Sequence, residues 1–229
     1  GWRMLGDLVA KAVPLARETL ALRTREATAV DVDVDLGDGR WLRGTVPEVY
    51  GDRLVRVSYS RLGATHRLQS WLLLLALSAA DPDHNWTAHT IGRPTNSRSH
   101  DAYATSLLGP IGDYAARDTL RTLVDLRDRG LAGPLPLPIK ASFTYAKWRR
   151  TDATVAEARR RAGFDWDDGR FPGECSDPAH VRVWGPRAAL PASDAPPLPG
   201  EGMPGETSRF GALALRLWGP LFDAEQGRW

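Results

Sequence analysis

Lys147, Arg149 and Arg150 stand beside Tyr145 and Trp148, and this mixture of fixed positive charge and flat aromatic faces suits phosphate contact with base stacking. A second basic run, Arg159–Arg160–Arg161, follows on the same stretch of chain. A solvated helix face or a subunit contact is the simpler account of both runs. Asp31, Asp33 and Asp35 alternate along what reads as a strand, about 7 Å apart at roughly 3.4 Å per residue. Three carboxylates in that row could meet a divalent cation, but no Lys or His nearby completes such a site, and a solvated strand face is the reading adopted. Cys175 and His180 offer one thiolate and one imidazole where zinc needs two further ligands, and no nucleophile signature surrounds them. Cys175 is therefore expected in the core or at its edge. His84, His89 and His100 lie in turn-like stretches without ligand spacing. Trp166, Trp184 and Trp218 are expected as core or interface anchors. No glycine-rich phosphate loop occurs, so nucleotide binding by this stretch is not expected.

The elements that must position these groups follow from periodicity. Leu5 to Thr24 reads as a helix with an apolar stripe that Pro14 interrupts. The period then drops to two: Val30, Val32, Val34 and Leu36 alternate with the three aspartates, and Gly37–Asp38–Gly39 turns the chain. Trp41 to Val46 and Leu54 to Tyr59 are two further strands, separated by Pro47 and the turn at Gly51–Asp52. Leu68 to Ala79 is apolar nearly all round and predicts a helix buried on several sides, ended by Asp81–Pro82–Asp83. Trp86 to Ile91 predicts a fourth strand, and Tyr114 to Asp128 an amphipathic helix with Gly130 as its C-cap. Ser142 to Arg150, Asp152 to Ala162 and Phe210 to Phe222 predict the later helices, while residues 186–207 read as a Pro/Gly-rich surface excursion. The fold class is α+β, in one domain spanning 1–229.

Composition narrows the function classes. In 229 residues, 42% hydrophobic and 25% charged content excludes a collagen, a coiled coil and wholesale disorder. The longest apolar run, Trp71 to Ala80, is half of what a membrane-spanning helix needs, roughly 20 residues. A formal net charge of +2 permits contact with DNA without arguing for it. A single cysteine precludes an internal disulfide and fits a reducing, cytoplasmic setting. The chain starts at Gly1 without an initiator Met and reads as the C-terminal fragment of a longer protein.

The order helix, three-strand meander, long buried helix, strand resembles the PD-(D/E)XK nuclease-like (restriction-endonuclease-like) core, a mixed and mostly antiparallel sheet flanked by helices. There the second strand presents an Asp, the third an acidic residue and, two positions on, a Lys. Two carboxylates hold a divalent metal while the ammonium orients the attacking water. In one subgroup the pattern reads Gly-x-x-Asp, then Asp-Tyr-Lys, then a Gln in the following helix. Here those stretches are Gly44–Thr45–Val46–Pro47, Ser58–Tyr59–Ser60 and Gln69. The frame survives, but Pro47, Ser58 and Ser60 occupy the acid and lysine positions, and none of the three grips magnesium at a phosphodiester.

With Asp33–Leu36 through Val46–Pro47, Leu54–Ala80, Gly130–Pro138, Gly173–Gly185 and Leu217–Phe222 in the same order, the chain resembles the C-terminal domain family of the exodeoxyribonuclease V gamma subunit, RecC. That resemblance implies a nuclease-like domain with its active site lost. It would bind no cofactor or metal, and would serve as a scaffold touching RecB-like and RecD-like subunits and DNA at the fork, in the recombinational repair of broken ends. ATPase, helicase and nuclease centres would belong to the partners. The alternatives are a divergent metal-dependent nuclease using Asp31, Asp33 and Asp35, and a stand-alone DNA-binding module.

Overall fold

A computed structural model describes residues 2–37, 39–96 and 100–226, with the side chain of Arg3 excepted; Gly1 and the expected turn residue Asp38 lie outside the described residues. The chain divides into two compact units, Gly1–Arg121 with Ala224–Trp229, and Thr122–Asp223.

The first unit opens with helix α1 (Trp2–Leu22), which runs through Pro14 instead of breaking there. Its anchor lies just beyond the proline: Leu15 is buried with Tyr50, Val55 and Ile91, and Thr19 Oγ1 donates back to the Leu15 carbonyl at 2.7 Å. Strand β1 (Thr28–Gly37) shows the expected alternation, with Val32, Val34 and Leu36 buried and the aspartates outside. Strand β2 (Arg40–Tyr50) pairs antiparallel to β1 and does not stop at Pro47. Between the pairs Val30↔Val46 and Thr28↔Val49 it carries one extra residue, and Glu48 takes a positive φ of 59°. This is a β-bulge, a place in a sheet that tolerates a residue without an amide hydrogen.

Strand β3 (Arg53–Arg61) completes the meander but pairs with β2 only at Val49↔Leu54 and Tyr50↔Arg53, next to the turn. Helix α2 (Ala64–Ala80) then crosses to β4 (Thr87–Arg93), which lies parallel to β3. Trp71, Leu74, Leu75 and Leu77 are fully buried, whereas Leu72 is exposed, so α2 has one open side after all. Two short strands escaped the periodicity: β5 (Ala104–Leu108), antiparallel to β4, and β6 (Glu225–Gln226), antiparallel to β5. The result is a mixed six-stranded sheet in the order β1-β2-β3-β4-β5-β6. Successive residues of a strand face opposite sides. Val55 packs with Leu15 of α1, and Thr90, on β4, donates to Ser70 of α2 at 2.6 Å while its neighbour Ile91 joins the Leu15 cluster, so the two helices cover opposite faces. His89 lies within β4, not in a turn.

Helix α3 (Asp113–Ala132) begins in the first unit, where Arg117 donates to the carbonyls of Asp35 (3.0 Å) and Ala79 (2.6 Å) and Arg121 to that of Leu36 (2.6 Å). It continues past Gly130, which lacks the positive φ of a C-cap, and ends at Ala132.

The second unit is helical. It holds α4 (Ile139–Arg149), α5 (Val155–Trp166), a single 3-10 turn at Glu174–Ser176, α6 (Pro178–Trp184) and α7 (Arg209–Ala224), whose final residue is counted with the first unit. Thr154 caps α5 by accepting from the Glu157 amide at 3.2 Å. Helix α4 follows Pro138 and has no local cap; the carboxylate of Glu174 accepts from the Lys140 and Ala141 amides at 2.9 and 2.8 Å instead. Gly173 must be glycine, because a Cβ there would lie 2.3 Å from the carbonyl oxygens of Trp166 and Asp167. The core gathers Ala141, Tyr145, Ala158, Ala162, Trp166, Cys175, Phe210 and Ala214.

Residues 186–207 contain no helix or strand, yet they are fastened inward. Ser193, Glu201 and Glu206 are buried. Glu201 receives Arg209 in a two-pronged ion pair at 2.8 and 2.9 Å and the Leu198 amide at 3.0 Å. The Arg209 hydrogen bonds hold Glu201 below the usual carboxylate range, as Arg129 does for Asp125 and Arg159 for Asp194. A carboxylate depressed in the folded state binds protons more readily when unfolded, so acid favours unfolding. Stability is therefore expected to hold down to about pH 5 and to fall progressively below it. Urea titrations followed by tryptophan fluorescence at a series of pH values check this; a curve flat to pH 3 would show that these pairs contribute nothing.

Candidate functional site

Of the pattern positions noted in the sequence, Ser58 and Gln69 meet on the α2 side of the sheet, whereas Tyr59 faces α1 and Gly44 lies outside this cleft. Because β2 leaves β3 after two register pairs, a cleft of about 260 Å³ opens along β3, lined by Arg56, Ser58, His66, Gln69, Ser70 and Thr90. Strand β3 supplies Arg56 and Ser58 from alternate positions, and successive turns of α2 supply His66, Gln69 and Ser70. Ser58 is half-buried, and its Oγ accepts from the Ser60 amide at 3.1 Å. Ser60 and Pro47 are exposed, and Pro47 sits on the bulge of β2.

A carboxylate stands beside this frame that the sequence reading passed over. Glu48 is held by Arg23 at 3.7 Å and Arg56 at 3.5 Å. The Pro47–Glu48 dipeptide was the available signal. One carboxylate already facing two guanidiniums is a poor ligand for a hard cation, which wants several oxygens. Among the described residues no group of three or more His, Cys, Asp or Glu side chains is placed to hold a metal ion. The cleft's own chemistry is that of a neutral-to-cationic polar surface: hydroxyls, an amide, an imidazole and a paired guanidinium.

The other candidates are placed as follows. Asp33 pairs with Arg43 across the strands at 3.0 Å, Asp31 accepts from Thr45 Oγ1 at 2.6 Å, and Asp35 accepts from the Gly37 amide at 2.7 Å. Their row is a hydrogen-bonded outer face of the β1–β2 ribbon. Cys175 is buried, and His180 Nδ1 lies 2.8 Å from the Glu174 carbonyl, its ring against Trp166. Trp166 and Trp218 are core anchors and Trp184 packs at the rim.

The basic-aromatic cluster on α4 is largely internal. Tyr145 is buried and donates its hydroxyl to Glu206. Arg149 donates to Glu206 at 2.6 Å and to the carbonyls of Ala153 (2.5 Å) and Gly205 (3.2 Å), which leaves its guanidinium committed to the fold. Arg150 is more exposed and pairs with Asp223. Lys147 lies in the last turn of α4. On α5, Arg159 pairs with Asp194 at 2.5 Å, Arg160 and Arg161 approach Glu157 at 3.6 and 3.7 Å, and Arg161 covers the Trp148 ring at 4.1 Å. Of the three DNA-contact candidates, Arg149 is thus a structural cation first.

This chain belongs to the RecC C-terminal domain family, whose family model matches residues 1–150, that is, α1 through α4 with strands β1 to β5. Similarity to individual relatives continues through the second unit. The chain is 46% identical over 226 residues, 99% of its length, to the RecBCD enzyme subunit RecC of Mycolicibacterium smegmatis. It is 44% identical over 226 residues, 98% of its length, to the RecBCD enzyme subunit RecC of Mycobacterium tuberculosis. In both cases the match covers 20% of the relative, so the chain spans about a fifth of the length of the curated relatives it matches.

Proposed function

We propose that this chain is a non-catalytic domain of nuclease-like descent that serves as a scaffold in a RecBCD-type helicase-nuclease, touching partner subunits and DNA at the fork where strands separate. The single observation carrying this reading is the cleft along β3. Ser58 of β3 lies beside Gln69 of the following helix, which supports a nuclease-like frame, while hydroxyls and Glu48, paired with two arginines, stand where oxygens to hold a cation would be needed. The element order α1, β1, β2, β3, α2, β4 supports the same descent. RecB-like and RecD-like subunits are the proposed partners, on the strength of the RecBCD name its relatives carry. Hydrolysis and ATP turnover are assigned to those partners.

The test uses the full-length polypeptide purified without other subunits and incubated with linear duplex DNA and Mg²⁺ or Mn²⁺. No metal-dependent cleavage is expected above a no-protein control. Cleavage that requires the metal and disappears in Ser58→Ala or Glu48→Gln would overturn the reading and favour a divergent nuclease.

A further inference from the structure

Helix α1 carries apolar side chains on two faces. Leu15 and the partly buried Leu22 meet the sheet. On a second stripe Trp2, Leu5, Val9, Val13 and Leu20 recur at helical spacing and are exposed among the described residues: Trp2 is 88% exposed and Leu20 71%. The bare surface continues off the helix. A groove of about 360 Å³ runs between α1 and β3, bounded by Ala16, Thr19 and Leu20 on one side and Val57 and Tyr59, both exposed, on the other. Soluble proteins rarely leave so many large apolar groups contiguous and open unless something binds there.

We propose that this face is covered by an apolar helix of the same polypeptide, supplied by the roughly four-fifths of the relatives' length that lies outside these 229 residues. The chemistry points to an apolar helical occupant: a stripe and a shallow groove accept the ridge of an amphipathic helix. It does not suit a nucleic acid, because the cations at its edge, Arg23 and Arg93, are already engaged: Arg23 faces Glu48 at 3.7 Å and lies over the Tyr50 ring at 4.8 Å, and Arg93 lies over the Tyr59 ring at 4.5 Å and donates to the Tyr59 carbonyl at 2.6 Å. The source follows from two facts. The family match starts at residue 1, so α1 is part of the shared domain and not an appendage. A segment joined covalently to the domain meets α1 at an effective concentration on the order of millimolar, an advantage that a separate subunit lacks. The inference stands on the exposed face of α1 and is independent of whether the β3 cleft is catalytic.

The full-length polypeptide, without other subunits, would carry a photo-crosslinking residue in turn as Leu5→p-benzoylphenylalanine, Val9→p-benzoylphenylalanine or Leu20→p-benzoylphenylalanine. All three positions are exposed, so folding is preserved. After irradiation, adducts are mapped by mass spectrometry. Adducts within a single polypeptide, to residues outside this stretch, are expected at about ten-fold or more above the same probe at exposed Asp83. Adding Leu5→Glu with Val9→Glu to the Leu20 probe is expected to cut the yield about ten-fold by charging the apolar stripe. Adducts confined to a second copy, adducts that need another subunit, no adduct above the Asp83 control, or a yield indifferent to the two glutamates would each overturn the proposal.

Discussion

Glu206→Ala is expected to destabilise the protein by about 3–5 kcal/mol, the cost of breaking a buried ion pair from one side. The Glu206 side chain is fully buried; it accepts from the Tyr145 hydroxyl and pairs with Arg149 at 2.6 Å. Burial and the nearby carboxylate raise the Tyr145 pKa, so the phenol remains a neutral donor throughout the ordinary pH range. Removing the carboxylate leaves that hydroxyl unsatisfied and leaves the Arg149 charge with only the Ala153 and Gly205 carbonyls. Glu206→Gln keeps the shape and the acceptor while losing the charge, and is expected to cost about 1–3 kcal/mol. Urea denaturation of the full-length polypeptide measures both. A loss under about 1 kcal/mol for the alanine variant would mean that Arg149 and Tyr145 find other partners. Arg149→Ala sharpens the point: if its main effect were on DNA affinity and not on stability, the cation would be a contact residue after all.

Trp218→Ala is expected to cost about 3–5 kcal/mol through the cavity it leaves. Trp218 is wholly buried on α7, its indole nitrogen donates to Ser142 Oγ at 2.9 Å, and its ring meets that of Phe143 in a T-shaped contact with centroids 5.1 Å apart. Trp218→Phe retains most of the apolar volume and loses the hydrogen bond, so its penalty should be no more than about half as large. Equal losses for the two variants would assign the stabilisation to the hydrogen bond, against the packing account.

What could be read from residue order alone was whatever repeats locally. The alternation of Val32, Val34 and Leu36 with three aspartates marked β1 and its dry face, and the apolar stretch around Trp71 marked α2. Bulky Trp166 and Trp218 announced a core. What stayed hidden was whatever depends on a distant partner. Strand β5 is five residues long and polar at Thr105 and Ser106. It is recognisable only beside β4 and β6, where Ser106 Oγ donates to Glu225 at 2.5 Å. Glu201 and Glu206 sit in a Pro/Gly-rich stretch that reads as solvated, and only the fold brings Arg209 and Arg149 to them. The same blindness hid the internal partners of Arg149: Glu206 and the Ala153 and Gly205 carbonyls. At the cleft, Ser58 and Gln69 were legible because a pattern named them, whereas Glu48 was not, because its neighbour Pro47 reads as a strand terminator and the bulge was unforeseen.

The carboxylate of Glu174, thirty-four residues downstream of the first amide it serves, has a consequence for the order of assembly. Helix α4 has no start signal of its own, and the residues that finish its first turn arrive only after α5 has been laid down and the chain has doubled back past Gly173. Closing that loop is entropically costly before any contact rewards it. The start of α4 is therefore a late-maturing joint, locked by the return of a downstream segment and not by its own sequence.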